Sequence, residues 1–278
     1  MPIRDLSCIL EVVEKPTSAT LQQALALARG YGAMASILVA GSKATAPYSM
    51  FNAGLVGDIV TSENEKVRTR AEAMAADARA ELAKSGAAGN VELCLESFQD
   101  VLVKAKEYAI CNDLTVIDRP GGVIERSEVL FEEVLFSASR PVLLPAPDRK
   151  PVEKVGKFVL AWDGSPYAAR ALDYALAFFA GLKEAEVVVV KGEKDLSGIV
   201  PAARIAAHIE RHGAKAKVVE LKCDEDGVSS TINTHAEKAG ADLVVMGAFG
   251  RSRLREFVMG GVTRDLTRFS KRPLLLSH

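Results

Sequence analysis

Three short segments occur twice in this chain, in the same order each time, and that repetition limits the fold more than any other feature. Leu21-Gln22-Gln23-Ala24-Leu25-Ala26 returns as Leu172-Asp173-Tyr174-Ala175-Leu176-Ala177. Asn112-Asp113-Leu114-Thr115-Val116-Ile117 returns as Ala241-Asp242-Leu243-Val244-Val245-Met246. Phe136-Ser137-Ala138-Ser139-Arg140-Pro141-Val142-Leu143-Leu144 returns as Phe269-Ser270-Lys271-Arg272-Pro273-Leu274-Leu275-Leu276. A period this long means a tandem pair of domains rather than a solenoid. The halves are 1–147 and 152–278, each of ordinary domain size within the 278 residues. Between them runs Pro145-Ala146-Pro147-Asp148-Arg149-Lys150-Pro151, a linker kept extended by its prolines.

The C-terminal half reads as strands alternating with helices. Phe158-Val159-Leu160-Ala161-Trp162 is a short apolar run closed by Asp163-Gly164-Ser165-Pro166. Ser165 can cap a helix whose first position is Pro166, and Ala168, Ala169, Leu172, Ala175, Leu176 and Phe179 continue at helical spacing. Strands are expected at 187–190, 217–221, 243–246 and 274–276, with helices at 197–212 and 229–238 between them. Alternation of this kind implies right-handed crossovers and a parallel sheet covered on both faces. The expected fold is two tandem Rossmann-like α/β domains, each a five-stranded parallel sheet. The N-terminal half repeats the outline with an insertion, Lys43–Val60, read as a loop or lid, and a long helix from about Glu63 to Lys84.

The stretch after 243–246 carries the chemistry. Gly247-Ala248-Phe249-Gly250 is followed, nine residues on, by Gly260-Gly261-Val262-Thr263. Glycines let a ligand approach the main chain, and free N–H groups opening a helix attract anionic oxygens. The spacing is neither that of a P-loop nor that of the dinucleotide fingerprint.

Gly247-x2-Gly250-x9-Gly260 with Val262-Thr263 and Asp163-Gly164-Ser165 resembles the ATP-binding class of universal stress proteins, a family that includes tandem forms. The resemblance implies a site for ATP or AMP in the C-terminal half, with Mg2+ or Mn2+ bridging phosphates. Asp163 would lie near ribose and adenine, Ala161 and Trp162 beside adenine, and Val189 against the base. Met246 and Gly247 would close the ribose side, and Gly250, Gly260, Gly261, Val262 and Thr263 would hold phosphates. Gly261 stands where the family has Ser or Thr, which removes one hydroxyl from the phosphates. Trp162 is larger than the usual residue and either stacks on the base or partly fills the pocket. The N-terminal half lacks the pattern: Asp118 replaces the first glycine, and Arg119-Pro120-Gly121-Gly122 is a shorter loop.

The remaining sequence features narrow the function classes. A net charge of −1 gives no pull toward nucleic acid or an acidic membrane, and no apolar run is long enough to span a bilayer. No signal-peptide pattern opens the chain. Cys8, Cys94, Cys111 and Cys223 show neither metal spacing nor a disulfide framework, so a reducing cytoplasm is expected. His208 and His212, four apart, read as a polar helix face rather than a metal pair, and the sequence alone names no partner for His235 or His278. Arg251, Arg253 and Arg255 alternate, so they cannot all face a triphosphate. With no nucleophile, general base or metal cluster, the expectation is a nucleotide-binding stress or signalling protein acting on an unidentified protein partner. At most it would hydrolyse ATP slowly or phosphorylate itself. The rival readings are a scaffold that has lost its nucleotide and an ATP-dependent adenylating enzyme. The apolar strands 142–144 and 274–276 are expected to pair about a two-fold axis, as a pseudo-dimer within the chain or in a homodimer.

Overall fold

A computed structural model of the chain describes residues 2–14, 18–45, 54–121, 125–192, 200–248 and 261–278. In the N-terminal half the order is β1 (Asp5–Glu11), α1 (Ala19–Tyr31), β2 (Met34–Lys43), α2 (Gly54–Ser85), β3 (Gly89–Ser97), α3 (Phe98–Cys111), β4 (Leu114–Ile117), α4 (Arg126–Ser137) and β5 (Val142–Leu144). The C-terminal half follows with β6 (Lys157–Ala161), α5 (Pro166–Phe178), β7 (Glu184–Lys191), α6 (Ala202–Arg211), β8 (Lys215–Lys222), α7 (Val228–Lys238), β9 (Leu243–Gly247), α8 (Gly261–Phe269) and β10 (Leu274–Ser277).

Within each half all strand pairs are parallel, as the helical crossovers require. The spatial order β3-β2-β1-β4-β5 is repeated as β8-β7-β6-β9-β10. The last strands of the two halves then meet antiparallel, Leu274 opposite Leu144, Leu275 opposite Leu143 and Leu276 opposite Val142. One ten-stranded sheet results.

Alternate residues of each strand face opposite layers. Leu6, Cys8 and Leu10, with Phe158, Leu160 and Trp162, pack under α1, α2, α5 and α6. Ile9, Val159, Val244 and Met246 pack under α3, α4, α7 and α8. Both faces of the central strands are therefore dry, which accounts for their nearly unbroken apolar sequences.

Three local readings change. α2 begins at Gly54, so much of the expected loop 43–60 is helix; residues 46–53 lie outside the described set. Asn64 holds this helix to the end of β2, accepting from the Ala44 N–H at 2.8 Å and donating to the Ala44 carbonyl at 3.2 Å. Lys66–Glu63 and Lys84–Glu81 ion pairs line its wet side, as the charge spacing suggested. α6 starts at Ala202, later than the periodicity implies, behind Pro201. The linker is not the extended run expected: residues 147–148 form a turn and residue 149 a bend, and the segment just after it is tied to α1. Gln23 of α1 exchanges two hydrogen bonds with the Val152 main chain, at 2.8 and 3.0 Å, and the Tyr31 hydroxyl accepts from the Val155 N–H.

Candidate functional site

In each half the strand order reverses between its first and fourth strands, and in such sheets a crevice opens beyond the carboxyl ends at that point. In the C-terminal half these strands are β6 and β9. Ala161 lies opposite Met246 in the ladder, so Trp162-Asp163 and Gly247 leave neighbouring strand ends together.

The turn after β6 is built around Asp163. One carboxylate oxygen accepts from the Ser165 N–H at 2.9 Å; the other takes no hydrogen bond from the described residues. Gly164 takes a left-handed φ of 74° between them. Ser165 caps α5, accepting from the Ala168 N–H at 3.1 Å, with Pro166 as the first helical residue. Gly247 is needed for packing as well as for any ligand. A Cβ there would sit 2.5 Å from the Ala168 nitrogen and 2.8 Å from the Tyr167 carbonyl carbon. A larger residue would drive β9 and the first turn of α5 apart.

α8 begins at Gly261, which puts the N–H groups of Gly261, Val262 and Thr263 in its first turn, without carbonyl partners inside the helix. Gly261 is exposed, with open space where a side chain would go. Val262 is half-buried and Thr263 buried. Gly250 and Gly260, with Arg251, Arg253 and Arg255, lie outside the described residues.

The apolar residues named from the sequence divide between the two layers. Trp162 and Val189 are buried on the α5–α6 side, and Met246 and the half-buried Ala161 lie on the α7–α8 side. The Trp162 indole N–H donates to the Val200 carbonyl at 2.9 Å. That ring is part of the core on the α5–α6 side.

Ladder register keeps the Asp118–Gly247 equivalence of the sequence repeat and adds one that the repeat did not give. Leu6 lies opposite Leu114, and Phe158 opposite Leu243. Counting along each strand from these pairs, Glu11 takes the place of Asp163 and Asp118 the place of Gly247. The N-terminal half thus keeps an acid at its first strand end and adds a second beside it. They line a cleft of about 420 Å³ with Leu21, Met74, Asp77 and Glu81. Thr20 donates to Asp118. Burial, then the Asp118 carboxylate, push the Glu11 carboxyl up to about 7 against the pull of Arg126. Two acidic side chains at the strand ends where a nucleotide would enter make this half a poor anion site.

A second cluster escaped the sequence because its members are far apart in the chain. Glu186 of β7 is buried and takes Lys157 at 2.7 Å, Lys217 at 3.1 Å and His235 at 2.8 Å. Burial pushes its carboxyl up, but hydrogen bonds from Lys157, Lys217 and His235 outweigh this and hold it near 2. Lys157 opens β6, so the cluster sits at the opposite end of the sheet from the crevice and is structural. His208 and His212 touch edge to face at 4.6 Å, and no group of three metal-ligating side chains occurs among the described residues. No helix among them is long and apolar enough to cross a membrane.

Comparison with known proteins agrees with this geometry. The sequence pattern of the universal stress protein family matches residues 154–278. A universal stress protein of Bacillus subtilis is 28% identical over 144 residues, covering 43% of this chain and 97% of that protein. One from Synechocystis is 27% identical over 147 residues, 52% of this chain; the match spans only 49% of that relative. The crystal structure of a universal stress protein from Archaeoglobus fulgidus superimposes over 98% of this chain and 97% of its own, with a TM-score of 0.67 at 14% identity, a likeness of fold. Residues 154–278 therefore match the universal stress protein family by sequence pattern, and the N-terminal half repeats the fold of that half.

Proposed function

We propose that the C-terminal half binds an adenine nucleotide, ATP or AMP, and that the bound state alters contact with a protein partner during stress. The observation carrying this reading is the convergence at one switch point of Asp163, one of whose carboxylate oxygens takes no hydrogen bond from the described residues, and Gly247, together with the first turn of α8. The carboxylate suits a ribose hydroxyl, which donates to it. The helix N-terminus suits phosphate, through aligned N–H groups and the positive end of the dipole. Gly250, Gly260, Val262 and Thr263 are assigned to the phosphates, and Mg2+ or Mn2+ would be held chiefly by the phosphates. No pair of groups in the described crevice provides a nucleophile and base, so the proposed output is a change of state rather than turnover.

Calorimetric titration of the purified chain with ATP and AMP tests the reading. Saturable heat is expected with the wild type and is expected to fall sharply in Asp163→Ala and Gly250→Asp. No heat and no thermal shift at millimolar nucleotide would leave the chain a scaffold that has lost its ligand.

A further inference from the structure

Arg119 of the N-terminal half is the best-bound side chain on the boundary with α8, and nothing in the nucleotide site itself accounts for it. Its Nε donates to the Pro145 carbonyl at 2.5 Å. One terminal nitrogen donates to the carbonyls of Leu266 at 3.1 Å and Thr267 at 2.9 Å, and the other to Arg272 at 3.0 Å. All four acceptors are main-chain oxygens. Leu266 and Thr267 belong to the last turn of α8, where the Leu266 carbonyl also accepts from the Ser270 N–H at 3.0 Å. A guanidinium there also meets the negative end of the helix dipole. Its burial lowers its pKa to about 10, so it stays charged at neutral pH.

The other end of the same helix carries Gly261, Val262 and Thr263. α8 has nine residues, too few to hold its own direction in water, so its tethers decide where its first turn points. Two of them come from the N-terminal half: Arg119, and Glu128 of α4, which pairs with Arg268 at 2.9 Å. The ladder register that matches Asp118 to Gly247 matches Arg119 to Ala248. Ala248 therefore cannot return to α4 the bonds that Arg119 gives α8. The half with acidic side chains at its own strand-end crevice uses the residue after Asp118 to brace the α8 helix of the other half.

We infer that Arg119 is a positioning residue for the nucleotide site: by fixing the C-terminal turn of α8 it aims the first-turn N–H groups at the phosphates, so the N-terminal half sets the phosphate affinity of the C-terminal half. The inference rests on the nucleotide-binding reading above and adds to it a long-range determinant. Its signature is selective. Contacts to phosphate depend on the aim of α8, whereas contacts of Asp163 with the ribose do not, so affinity for ATP falls while affinity for adenosine holds.

The test uses the full-length chain and titrates ATP and adenosine into the wild type, Arg119→Gln and Arg119→Lys. Lysine keeps the charge but cannot reach all four carbonyls at once. Arg119→Gln is expected to weaken ATP about fivefold or more and Arg119→Lys about half as much in free-energy terms, with adenosine unchanged in both. If Arg119→Gln fails to fold, Arg119→Lys alone decides: an ATP-to-adenosine affinity ratio within twofold of the wild type overturns the inference. Equal weakening of both ligands also overturns it, because that is general damage to the fold. A wild-type chain that binds adenosine no more weakly than ATP removes any role for phosphate aim, and one that binds neither overturns the nucleotide reading together with this inference.

Discussion

Gly261 opens α8 with empty space at the position of a side chain, and its backbone is not left-handed. A serine there meets no atom within contact distance, and its hydroxyl would stand among the first-turn N–H groups that the nucleotide reading gives to phosphate. A hydrogen bond to a charged group contributes about 1.5–3 kcal/mol, so Gly261→Ser is expected to tighten ATP roughly tenfold, read by calorimetry, with adenosine unaffected. Unchanged ATP affinity would mean the phosphates do not lie over this turn. Glu186 gives a prediction of the opposite kind, about stability rather than ligand. Its folded pKa, near 2, lies below the ordinary glutamate value of about 4.3. It therefore stabilises the fold above pH 4.3, and that contribution disappears as pH falls toward 2. Glu186→Gln takes the shared carboxylate from Lys217 and leaves Lys157 only Glu184 at 3.4 Å, and is expected to cost about 3 kcal/mol at pH 7. In urea titrations the wild type should lose more stability than the variant between pH 4.3 and 2; parallel curves would refute the assignment.

At the scale of elements, the linker shows why a glycine inside a helix can be indispensable. Gly30 lies near the end of α1 and is not left-handed, so by helix propensity alone alanine should stabilise the helix by about 1 kcal/mol. A Cβ at Gly30, however, would sit 2.0 Å from the Glu153 carbonyl oxygen, a backbone atom that cannot rotate away. Gly30→Ala is expected to destabilise the chain by about 1–3 kcal/mol and to make the linker more sensitive to protease; a gain in stability would show that the linker lifts off α1 freely. The sequence could announce the linker through its prolines but not the seat of the segment that follows it, because Gln23, Tyr31 and Gly30 meet Val152, Val155 and Glu153 only after α1 is placed. The same limit hid Glu11. Residues 12–18 separate β1 from α1, whereas only 162–165 separate β6 from α5, so the motif Asp-Gly-Ser has no counterpart at the same spacing and the shared acid appears only in the ladder register. Where the determinants are local the reading is complete: Ser165-Pro166 starts α5 as its chemistry requires, and the apolar runs of β6 and β9 are strands. Gly247 was read as a ligand contact, and its packing against Ala168 could not be seen until two distant elements met. Arg119 was invisible for the same reason, since all its acceptors are carbonyls that any sequence could supply.

On the scale of the whole chain, the duplication ends in a shared structure. β5 and β10 contribute three residue pairs to the ladder between the halves, and Leu143, Leu144, Leu274, Leu275 and Leu276 are fully buried there. Strand edges left open are prone to pair with other chains; here each half closes the other's edge. This continuity makes the two halves one folding unit, because neither can lose its last strand without exposing the edge of its partner. The chain has a single tryptophan, Trp162, in the C-terminal half, while far-UV circular dichroism reports on both halves. Leu143→Ala places a cavity on the N-terminal side of the junction, at a cost of about 2–5 kcal/mol. The urea midpoint followed by Trp162 fluorescence is expected to fall by the same amount as the midpoint followed by circular dichroism. A tryptophan transition that stays in place while the dichroism splits in two would mean that the halves unfold separately, and that the antiparallel junction joins two domains without coupling them.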